Sequence, residues 1–493
     1  MRNLIITAVA LLAAGTANAE TYAIQAGRLI VDAAKPALGP STVIVTDGRI
    51  IAIQPGATAP AGATVVDQRS RTVMPGMTDV HVHLTMNSGE PWYIGFTRKY
   101  SAPYATTMGL THALEMARAG FTTVRDLGGD TSAVIALRDA VAEGRFAGPR
   151  IRVSGAGLSM IGGHGDPATG LPPELAAAID TAHLNRSVCT GVQQCQEVVR
   201  KLAAAGVDVI KIMATGGVLD PGAMGLEQHF TFDEMKGIVD MAHSLHLKVA
   251  AHAHGARGIE AATNAGVDSI EHGTLIDEAG VKAMKAHGTY YSATLMAFSG
   301  VNGLLGTGKL TPEMESKARI ILARWGNGLN LAYRGGVKIA LGTDSAVAPH
   351  ARAGEELGLM VSKGGMTPRD ALIAATRGGP DLGAFRRNRD ARSGQIGRPD
   401  RSRRRPAERP GGGHPRRLCD GHGQADRDER ELGREPTNAS SNDDGRRTFA
   451  DGYSLEVPAV GPVWSRPLTN FSMSVNSSRS VGGATCAKLS CHI

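Results

Sequence analysis

Cysteine is scarce in this chain of 493 residues, and its five cysteines have no metal-site spacing. They stand at positions 189, 195, 419, 486 and 491. This spacing excludes the closely paired cysteines of zinc-binding modules. Cys189 and Cys195 are near enough in sequence to form a small-loop disulfide in an oxidising compartment, and two free thiols fit the sequence equally well.

Long hydrophobic runs are also lacking, except for one near the N-terminus. Arg2 precedes an apolar run from Leu4 to Ala14, and the small residues Ala17-Asn18-Ala19 follow. About ten apolar residues are too few to span a bilayer, which argues against the alternative of a membrane anchor. The pattern predicts a secretory signal peptide over residues 1–19 and an exported protein without membrane insertion, either periplasmic or secreted.

The positive charge of the chain is unevenly distributed. The net charge of +7 comes from 53 Lys and Arg against 46 Asp and Glu. After Phe385 there are 20 Lys and Arg against 13 Asp and Glu, which leaves 33 of each sign before it. A basic tail is compatible with binding to nucleic acid or anionic lipid. This tail has neither interleaved aromatic residues nor a recognition motif, so we expect no nucleic-acid partner.

Four segments share one local pattern, a helix end followed by a glycine and a β-branched strand. They are residues 117–126, 202–211, 262–271 and 332–344. A glycine at the C-terminal cap of a helix is typical of such a connection. Further strands are predicted at 77–84, 150–158, 248–255 and 289–295, with helices at 131–143, 232–246 and 277–287 among those between them. Eight strands alternating with helices predict an α/β fold, a (β/α)8 TIM barrel.

The chain therefore divides into four regions. The signal peptide over residues 1–19 is followed by short strands and turns over residues 20–74, which predict part of a small N-terminal β-sandwich domain. The barrel occupies residues 75–379. Residues 380–493 form an atypical tail rich in Arg, Gly and Pro.

Polar residues lie at the ends of the predicted strands. His81 and His83 flank Val82, and strand alternation places both imidazoles on one face. The C-terminal face of a TIM barrel is where active sites form, with residues from several strands. The remaining strand ends carry a lysine, three histidines and an aspartate: Lys211, His252, His254, His272 and Asp344. This set predicts a metal-binding active site rather than scattered polar residues of a core.

Lys211 is unusual because it lies inside an apolar strand, Val207–Met213. A buried ammonium group costs several kcal/mol unless it is paired or chemically changed. The alternative is that the side chain extends from the strand end to solvent.

Seven motifs occur together in a fixed order along the chain. They are PGMTDVHVHL (75–84), GFTTVRDLGG (120–129), GGHG (162–165), IKIMATGGV (210–218), VAAHAHG (249–255), EHGT (271–274) and ALGTDS (340–345). In these motifs the chain resembles the amidohydrolase superfamily, in the branch of imidazolonepropionase-like proteins and Xaa-Pro dipeptidase-like exported peptidases. The resemblance covers residues from about 21 to 379.

The resemblance implies a centre with two divalent metal ions, expected to be zinc. In binuclear members of the superfamily, CO₂ carboxylates the strand lysine, and the carbamate bridges the two metals. Carried over to this chain, Lys211 would be that bridge, which would remove the cost of burying its ammonium group. The first metal would also be held by His81, His83 and Asp344, and the second by His252 and His272.

The implied chemistry is amide hydrolysis. A water bound between two cations loses a proton near neutral pH and becomes a hydroxide nucleophile. Asp344 would accept that proton and pass it to the leaving amine. His164 is expected to contact the substrate, an exposed loop histidine being the alternative, and His254 is expected to line the pocket. Arg125 and Asp126 are predicted to form an inward ion pair that braces the site.

The resemblance predicts an enzyme that releases a C-terminal amino acid from a dipeptide or an N-acyl amino acid. Some members of the family hydrolyse ochratoxin A, an N-acylated phenylalanine, so an aryl amide is a further expectation. One alternative is a mononuclear cyclic-amide hydrolase or deaminase of the imidazolonepropionase type, which needs no strand lysine. Another is a non-catalytic, decayed barrel, which would lack at least one ligand. The sequence leaves homo-oligomerisation open.

The tail after residue 380 differs in character from the rest of the chain. It is rich in Arg with almost no apolar periodicity, a composition that predicts disorder. Relatives instead continue with a strand that completes the small β-domain. A shifted reading frame over Ala384–Ser402 can encode a segment of that kind, so we expect a frame-shifted tail. Loss of the strand that relatives have here predicts unpaired strand edges in the β-domain.

Overall fold

The structure is a computed structural model that describes residues 20–89, 101–181, 186–221, 225–379, 382, 473–475 and 489–490. The predicted signal peptide lies outside the described residues, and so does Ala384–Ser402, on which the frame-shift hypothesis rests. Both stay predictions.

Within the described residues, the strands are β1 (Thr21–Leu29), β2 (Ser41–Thr46), β3 (Arg49–Pro55), β4 (Thr64–Met74), β5 (Met77–Val82), β6 (Phe121–Asp126), β7 (Arg150–Val153), β8 (Val209–Met213), β9 (Lys248–Ala253), β10 (Ser269–His272), β11 (Tyr290–Ser292), β12 (Lys338–Ile339), β13 (Met473–Val475) and β14 (Leu489–Ser490). The α-helices are α1 (Ala102–Arg118), α2 (Thr131–Ala142), α3 (Pro173–Thr181), α4 (Gly191–Ala205), α5 (Phe232–Ser244), α6 (Ala256–Ala265), α7 (Glu278–His287), α8 (Leu295–Leu304), α9 (Pro312–Leu322), α10 (Asn327–Arg334), α11 (Glu355–Ser362) and α12 (Pro368–Ile373).

The N-terminal strands form one sheet with the order β14-β13-β4-β1-β2-β3. Val43 and Val45 of β2 pack with Ala26 and Leu29 of β1 in a small core. The sheet expected from the sequence is present, but the second layer of a β-sandwich is not found among the described residues. The sandwich therefore stays a prediction, and in the observed sheet strand β3 exposes three isoleucines, Ile50, Ile51 and Ile53.

Two short strands from the tail extend this sheet. β13 pairs antiparallel with β4, Met473 opposite Met74 and Val475 opposite Thr72, and β14 pairs with β13. Contrary to the expectation of unpaired strand edges, this part of β4 is therefore paired. β3 remains the other edge strand of the sheet.

The remaining eight strands are parallel to their neighbours. β5, β6 and β7 form one sheet, and β8 to β12 form a second sheet in sequence order. Parallel bridges connect the two sheets at both ends, Val82 with Ser345 and Leu158 with Ile212. The predicted α/β class and the predicted alternation of strands with helices are confirmed.

The helix-to-strand connections follow from their glycines. Gly206 caps α4 and Gly266 caps α6, with φ angles of 94° and 99° that a residue with a Cβ adopts only under strain. Each glycine turns the chain directly into the next parallel strand. At the other end of a helix, Thr231 and Glu234 form a reciprocal capping box that fixes the start of α5.

Cys189 and Cys195 form a disulfide, with their Cα atoms 5.1 Å apart. This decides between the two possibilities that the sequence left open. The disulfide links Cys195, within α4, to Cys189, which precedes that helix. The amide of Cys189 donates to the Ser159 carbonyl at 2.9 Å. In the part of the chain that the structure describes, no helix is both long and apolar enough to cross a membrane.

Candidate metal centre

The predicted site residues come together at the C-terminal ends of the parallel strands. The histidines of β5, β9 and β10 lie within one residue of the strand ends, Asp344 follows β12 by five residues, and Lys211 lies in the middle of β8. Burial of these side chains is nearly complete: Lys211 is 1 % exposed and Asp344 is 8 % exposed. The parallel order of the strands therefore gathers residues that lie far apart in the sequence.

His81, His83 and Asp344 form the first cluster, whose ligand atoms lie within 4.8 Å of one another. The Oδ1 atom of Asp344 lies 3.5 Å from Nε2 of His81 and 3.1 Å from Nε2 of His83. Burial alone would raise the pKa of Asp344, but the two histidines hold that pKa well below its usual range. The carboxylate is therefore ionised near neutral pH.

The outer nitrogen of each histidine in the first cluster has a partner that fixes the ring. Nδ1 of His81 donates to Oε2 of Glu271 at 3.0 Å, and Nδ1 of His83 donates to the Gly128 carbonyl at 3.3 Å. A histidine that donates from one nitrogen presents the lone pair of the other. Both Nε2 lone pairs therefore face the Asp344 carboxylate, an arrangement of three ligand atoms that suits a cation.

Glu271 is held in turn by Arg125, whose guanidinium donates to Oε1 of Glu271 at 2.8 Å. Burial works to raise the pKa of Glu271, but Arg125 and His81 lower it to about 2. The predicted ion pair between Arg125 and Asp126 is corrected, because Asp126 instead accepts from the backbone amides of Leu84 and Gly128. Neighbouring residues of a strand point to opposite faces, which separates the two side chains.

His252, His254 and His272 form the second cluster, again with ligand atoms within 4.8 Å of one another. Their ring centroids are 4.6 to 5.0 Å apart. Burial lowers the pKa of His254 to about 3, and it holds the pKa values of His252 and His272 well below their usual value. The three imidazoles are therefore neutral, which is the form that binds a metal ion.

The partners of the second cluster are uncharged. His252 bonds to the Gly216 carbonyl at 3.3 Å. His254 bonds to the hydroxyl of Thr274 at 2.9 Å, and His272 to the hydroxyl of Thr294 at 2.7 Å. The second cluster thus contains no carboxylate, in contrast to the first.

Lys211 is electrostatically coupled to both clusters. Its charge contributes to lowering the pKa of His81 in the first cluster and the pKa of His272 in the second. Burial lowers the pKa of Lys211 itself to about 8, although Glu271 and Asp344 oppose the shift. A larger fraction of neutral amine is thus present near neutral pH than in an exposed lysine.

The donor set fits divalent metal ions. Neutral imidazoles and an ionised carboxylate are ligands of zinc and similar ions. Two groups of three such ligands lie next to each other, since the ring centroids of His81 and His272 are 5.0 Å apart. The resemblance implied His81, His83 and Asp344 for one metal and His252 and His272 for the other, with Lys211 shared between them. The structure groups the histidines and Asp344 in this way, with His254 added to the second group.

A model of the amidohydrolase family matches residues 72–386. This chain belongs to the amidohydrolase family. The ochratoxinase of Aspergillus niger is 31 % identical to it over 383 residues, which cover 75 % of this chain and 78 % of the ochratoxinase. The resemblance inferred from the motifs is confirmed, and the amidohydrolase is a hydrolase that acts on amide bonds.

Solved structures support the same assignment. A Xaa-Pro dipeptidase with methionine bound in its active site matches the amidohydrolase with a TM-score of 0.66 and 32 % identity, covering 74 % of this chain and 88 % of the dipeptidase. A prolidase complexed with N-methylphosphonate-L-proline matches with a TM-score of 0.65 and 30 % identity, covering 73 % of this chain and 87 % of the prolidase. The structure of the A. niger ochratoxinase matches with a TM-score of 0.63 and 29 % identity, covering 74 % and 84 %.

His164 of the amidohydrolase lies beside the second cluster. Its ring centroid is 4.2 Å from that of His252, and its side chain remains 28 % exposed. Nδ1 of His164 lies 2.6 Å from Oδ1 of Asp220. The loop histidine expected to contact the substrate is therefore next to the metal-binding residues and still reachable from solvent.

Backbone strain coincides with this site. His272 and Asp344 have φ angles of 68° and 55°, and Thr294, the partner of His272, has a φ angle of 48°. Residues with a Cβ rarely adopt this left-handed region, and such strain concentrates at functional sites. At His272 the kink interrupts strand alternation, so that both Glu271 and His272 contact His81.

A third group, His112, Glu115 and His350, also has ligand atoms close together. The rings of His112 and His350 are stacked at 4.0 Å and inclined by only 9°. Lone pairs in nearly parallel planes do not converge on one ion. The rings instead bond to the carbonyls of Leu84 and His83, so this group braces the backbone beside the first cluster.

Several supporting residues were missed by the sequence reasoning. Glu271 stands in a predicted strand, and its charge within a buried apolar segment was the available signal. Asp79 accepts from the hydroxyl of Thr343 at 2.6 Å and from the amide of His81 at 3.0 Å, and a buried aspartate two residues before a histidine was a similar signal. No sequence signal marks Asp220 or Thr294.

Proposed function

We propose that this amidohydrolase hydrolyses the amide bond of a dipeptide or an N-acyl amino acid and releases the C-terminal amino acid. The observation that carries this proposal is the pair of adjacent three-ligand clusters, both coupled to a buried lysine. The Xaa-Pro dipeptidase and the ochratoxinase, both relatives, support substrates of this class. Ochratoxin A is one such N-acyl amino acid and is included in the proposal.

The proposed centre holds two divalent metal ions, zinc being the expected element. His81, His83 and Asp344 would hold one ion, His252 and His272 the other, and an N-carboxylated Lys211 would bridge them. Ions at these ligands would supply a nucleophilic hydroxide near neutral pH and polarise the scissile carbonyl. The depressed pKa of Lys211, to about 8, supports its reaction with CO₂, because only the neutral amine is nucleophilic.

The chain's own residues would move the proton and orient the substrate. Asp344 is ionised and lies between the two histidines of the first cluster, so its carboxylate accepts the proton of the attacking water and passes it to the leaving amine. His164 would contact the substrate through Nε2, since its Nδ1 faces Asp220. His254 belongs to the second cluster by distance, and we assign it a role at the substrate side of that cluster.

We further propose that the eight parallel strands close into a TIM barrel. The supporting observations are the bridges at both junctions of the two sheets, with Val80 donating to the Leu341 carbonyl at 2.9 Å and Leu158 donating to the Lys211 carbonyl at 2.8 Å. Export remains a proposal too. The Cys189–Cys195 disulfide supports an oxidising compartment.

The test is metal content per chain, measured together with hydrolysis of Xaa-Pro dipeptides, N-acyl-phenylalanine and ochratoxin A. We expect two metals per chain in the wild type. In Lys211→Ala we expect loss of activity together with loss of at least one metal. Lys282→Ala, at an exposed position of α7, is the matched control and should keep both properties. One metal in the wild type, unchanged in Lys211→Ala, would favour the mononuclear cyclic-amide hydrolase or deaminase instead. Absence of metal and of activity would favour the non-catalytic barrel.

A further inference from the structure

Asp220 and His164 form a pair that no motif predicted. Oδ1 of Asp220 lies 2.6 Å from Nδ1 of His164, a short distance for a bond between these groups. The two residues are 56 positions apart. His164 belongs to the loop after β7, and Asp220 belongs to the segment after β8, the strand that carries Lys211.

Two other polar atoms of Asp220 also accept hydrogen bonds. Its Oδ2 accepts from the amide of Gly217 at 2.7 Å, and its backbone carbonyl accepts from the ammonium of Lys317 on α9 at 2.8 Å. Burial would raise the pKa of Asp220, but the charge and hydrogen bond of His164, the amide of Gly217 and the charge of Lys317 hold that pKa well below its usual range. Asp220 is therefore an ionised carboxylate with a fixed direction.

The ring of His164 is enclosed on two sides. One face lies against the ring of His252, with the centroids 4.2 Å apart. On another side, a Cβ at Gly217 would come within 2.4 Å of Nδ1 of His164, so only glycine permits this approach. The ring has little room to turn over.

We propose that Asp220 is the positioning residue of His164, which keeps a proton on Nδ1 and presents Nε2 to the substrate. An ionised carboxylate accepts hydrogen bonds only, so Nδ1 must carry a proton whether the ring is neutral or charged. Nε2 is then the ring nitrogen left to contact the substrate. The same relationship orients histidines in other hydrolases that use a histidine and an aspartate.

Asp220→Asn is the sharpest variant, because it keeps the shape of the side chain and removes its charge. The amide can donate to Nδ1 and so favour the wrong tautomer. We expect kcat to fall by about 100-fold, the scale of a misplaced acid–base group, with KM changing by less than about threefold. Metal content should stay as in the wild type. Asp233→Asn, at an exposed position of α5, controls for the loss of one negative charge.

A double-mutant cycle distinguishes positioning from an independent effect. If Asp220 acts through His164, the double variant His164→Gln with Asp220→Asn should be no slower than His164→Gln alone. A further 100-fold loss in the double variant would overturn the inference. The inference would also be overturned if Asp220→Asn raised KM and left kcat unchanged.

The kinetic part of this inference rests on the proposed function. A second measurement tests the inference independently of that function. Nitrogen NMR of histidine-labelled protein, with His164 assigned from the spectrum of His164→Gln, reports which ring nitrogen is protonated. We expect a protonated Nδ1 in the wild type and a changed signal in Asp220→Asn. An unchanged signal would overturn the inference even in an inactive enzyme. Inactive wild type with the expected signal would refute the proposed function alone.

Discussion

The two histidine clusters differ in charge, although they lie side by side. The first contains the carboxylate of Asp344, and its His81 is backed by Glu271 and Arg125. The second contains three imidazoles, backed by hydroxyl groups and a carbonyl. Burial lowers the pKa of every histidine in the second cluster and that of His81 in the first, whereas Asp344 outweighs burial at His83 and raises its pKa.

This difference gives the buried lysine a physical role. A divalent ion in the first cluster would meet a negative charge that the protein supplies directly. In the second cluster it would meet only neutral ligands, and leaving a dication without negative ligands in a buried site is costly. We infer that an anionic form of Lys211 supplies the charge that the second cluster lacks.

Among the substitutions that distinguish the two clusters, Asp344→Asn is expected to have the largest effect on activity. The substitution removes the carboxylate of the first cluster and the proposed proton acceptor at once. We expect kcat/KM to fall by about 1,000-fold or more, with preferential loss of the first metal. Steady-state kinetics and metal analysis measure this. Asp233→Asn serves as the control, and retention of a tenth of the activity would contradict the assignment.

Glu271→Gln tests the charged backing of the first cluster. It leaves the buried Arg125 without its carboxylate, which should lower the free energy of unfolding by about 3 kcal/mol. Metal affinity should fall about 10- to 100-fold, as is usual when the partner of a ligand histidine is lost. Urea denaturation and chelator competition measure the two quantities. Equal stability of variant and wild type would show that the charged backing contributes nothing.

The depressed histidine pKa values predict acid sensitivity of the metal-stripped protein. The pKa of His254 is about 3 in the folded protein and about 6.5 when unfolded, so the unfolded chain binds the extra proton as the pH falls below 6.5. This histidine alone should cost about 2 kcal/mol of stability between pH 6.5 and 5. His254→Gln should flatten the stability profile in that range. His83, whose pKa is raised, should contribute with the opposite sign, and a flattening in His83→Gln would contradict this.

Thr294→Val tests the uncharged backing of the second cluster and should have the smallest effect. It removes the hydroxyl that bonds to His272 and keeps the branched shape of the side chain. Loss of one neutral hydrogen bond should weaken metal binding or stability by about 1 kcal/mol. Thr294→Ser retains the hydroxyl and is the matched control. An effect as large as that of Glu271→Gln would remove the contrast between the clusters.

Much of the parallel-strand region could be predicted from local sequence. Glycines at helix ends, such as Gly206 and Gly266, act within a few residues, so their effect is visible in the sequence. The same holds for His81 and His83, where strand alternation brings both side chains to Asp344. These features depend on short-range periodicity, which can be read directly from the sequence.

The supporting contacts could not be predicted, because they depend on tertiary pairing. His81 and Glu271 are 190 residues apart, and Asp220 approaches His164 only through the packing of two loops. The kink at His272 also breaks the alternation on which sequence reasoning relies. In the N-terminal region the strands could be predicted from the sequence, whereas the pairing of β13 with β4 joins residues about 400 positions apart and could not.

The contact between Asp79 and Thr343 has a consequence for biosynthesis. These residues are 264 positions apart, and Asp344 follows directly after the second of them. At ribosomal rates of about 5 to 20 residues per second, the last ligand emerges roughly 15 to 50 s after the first. Late in that interval a nascent chain already contains the histidines of the second cluster and still lacks the aspartate of the first. The complete proposed centre could therefore take up metal only after Asp344 has emerged, and a prematurely terminated chain ending before Asp344 would have only a partial site.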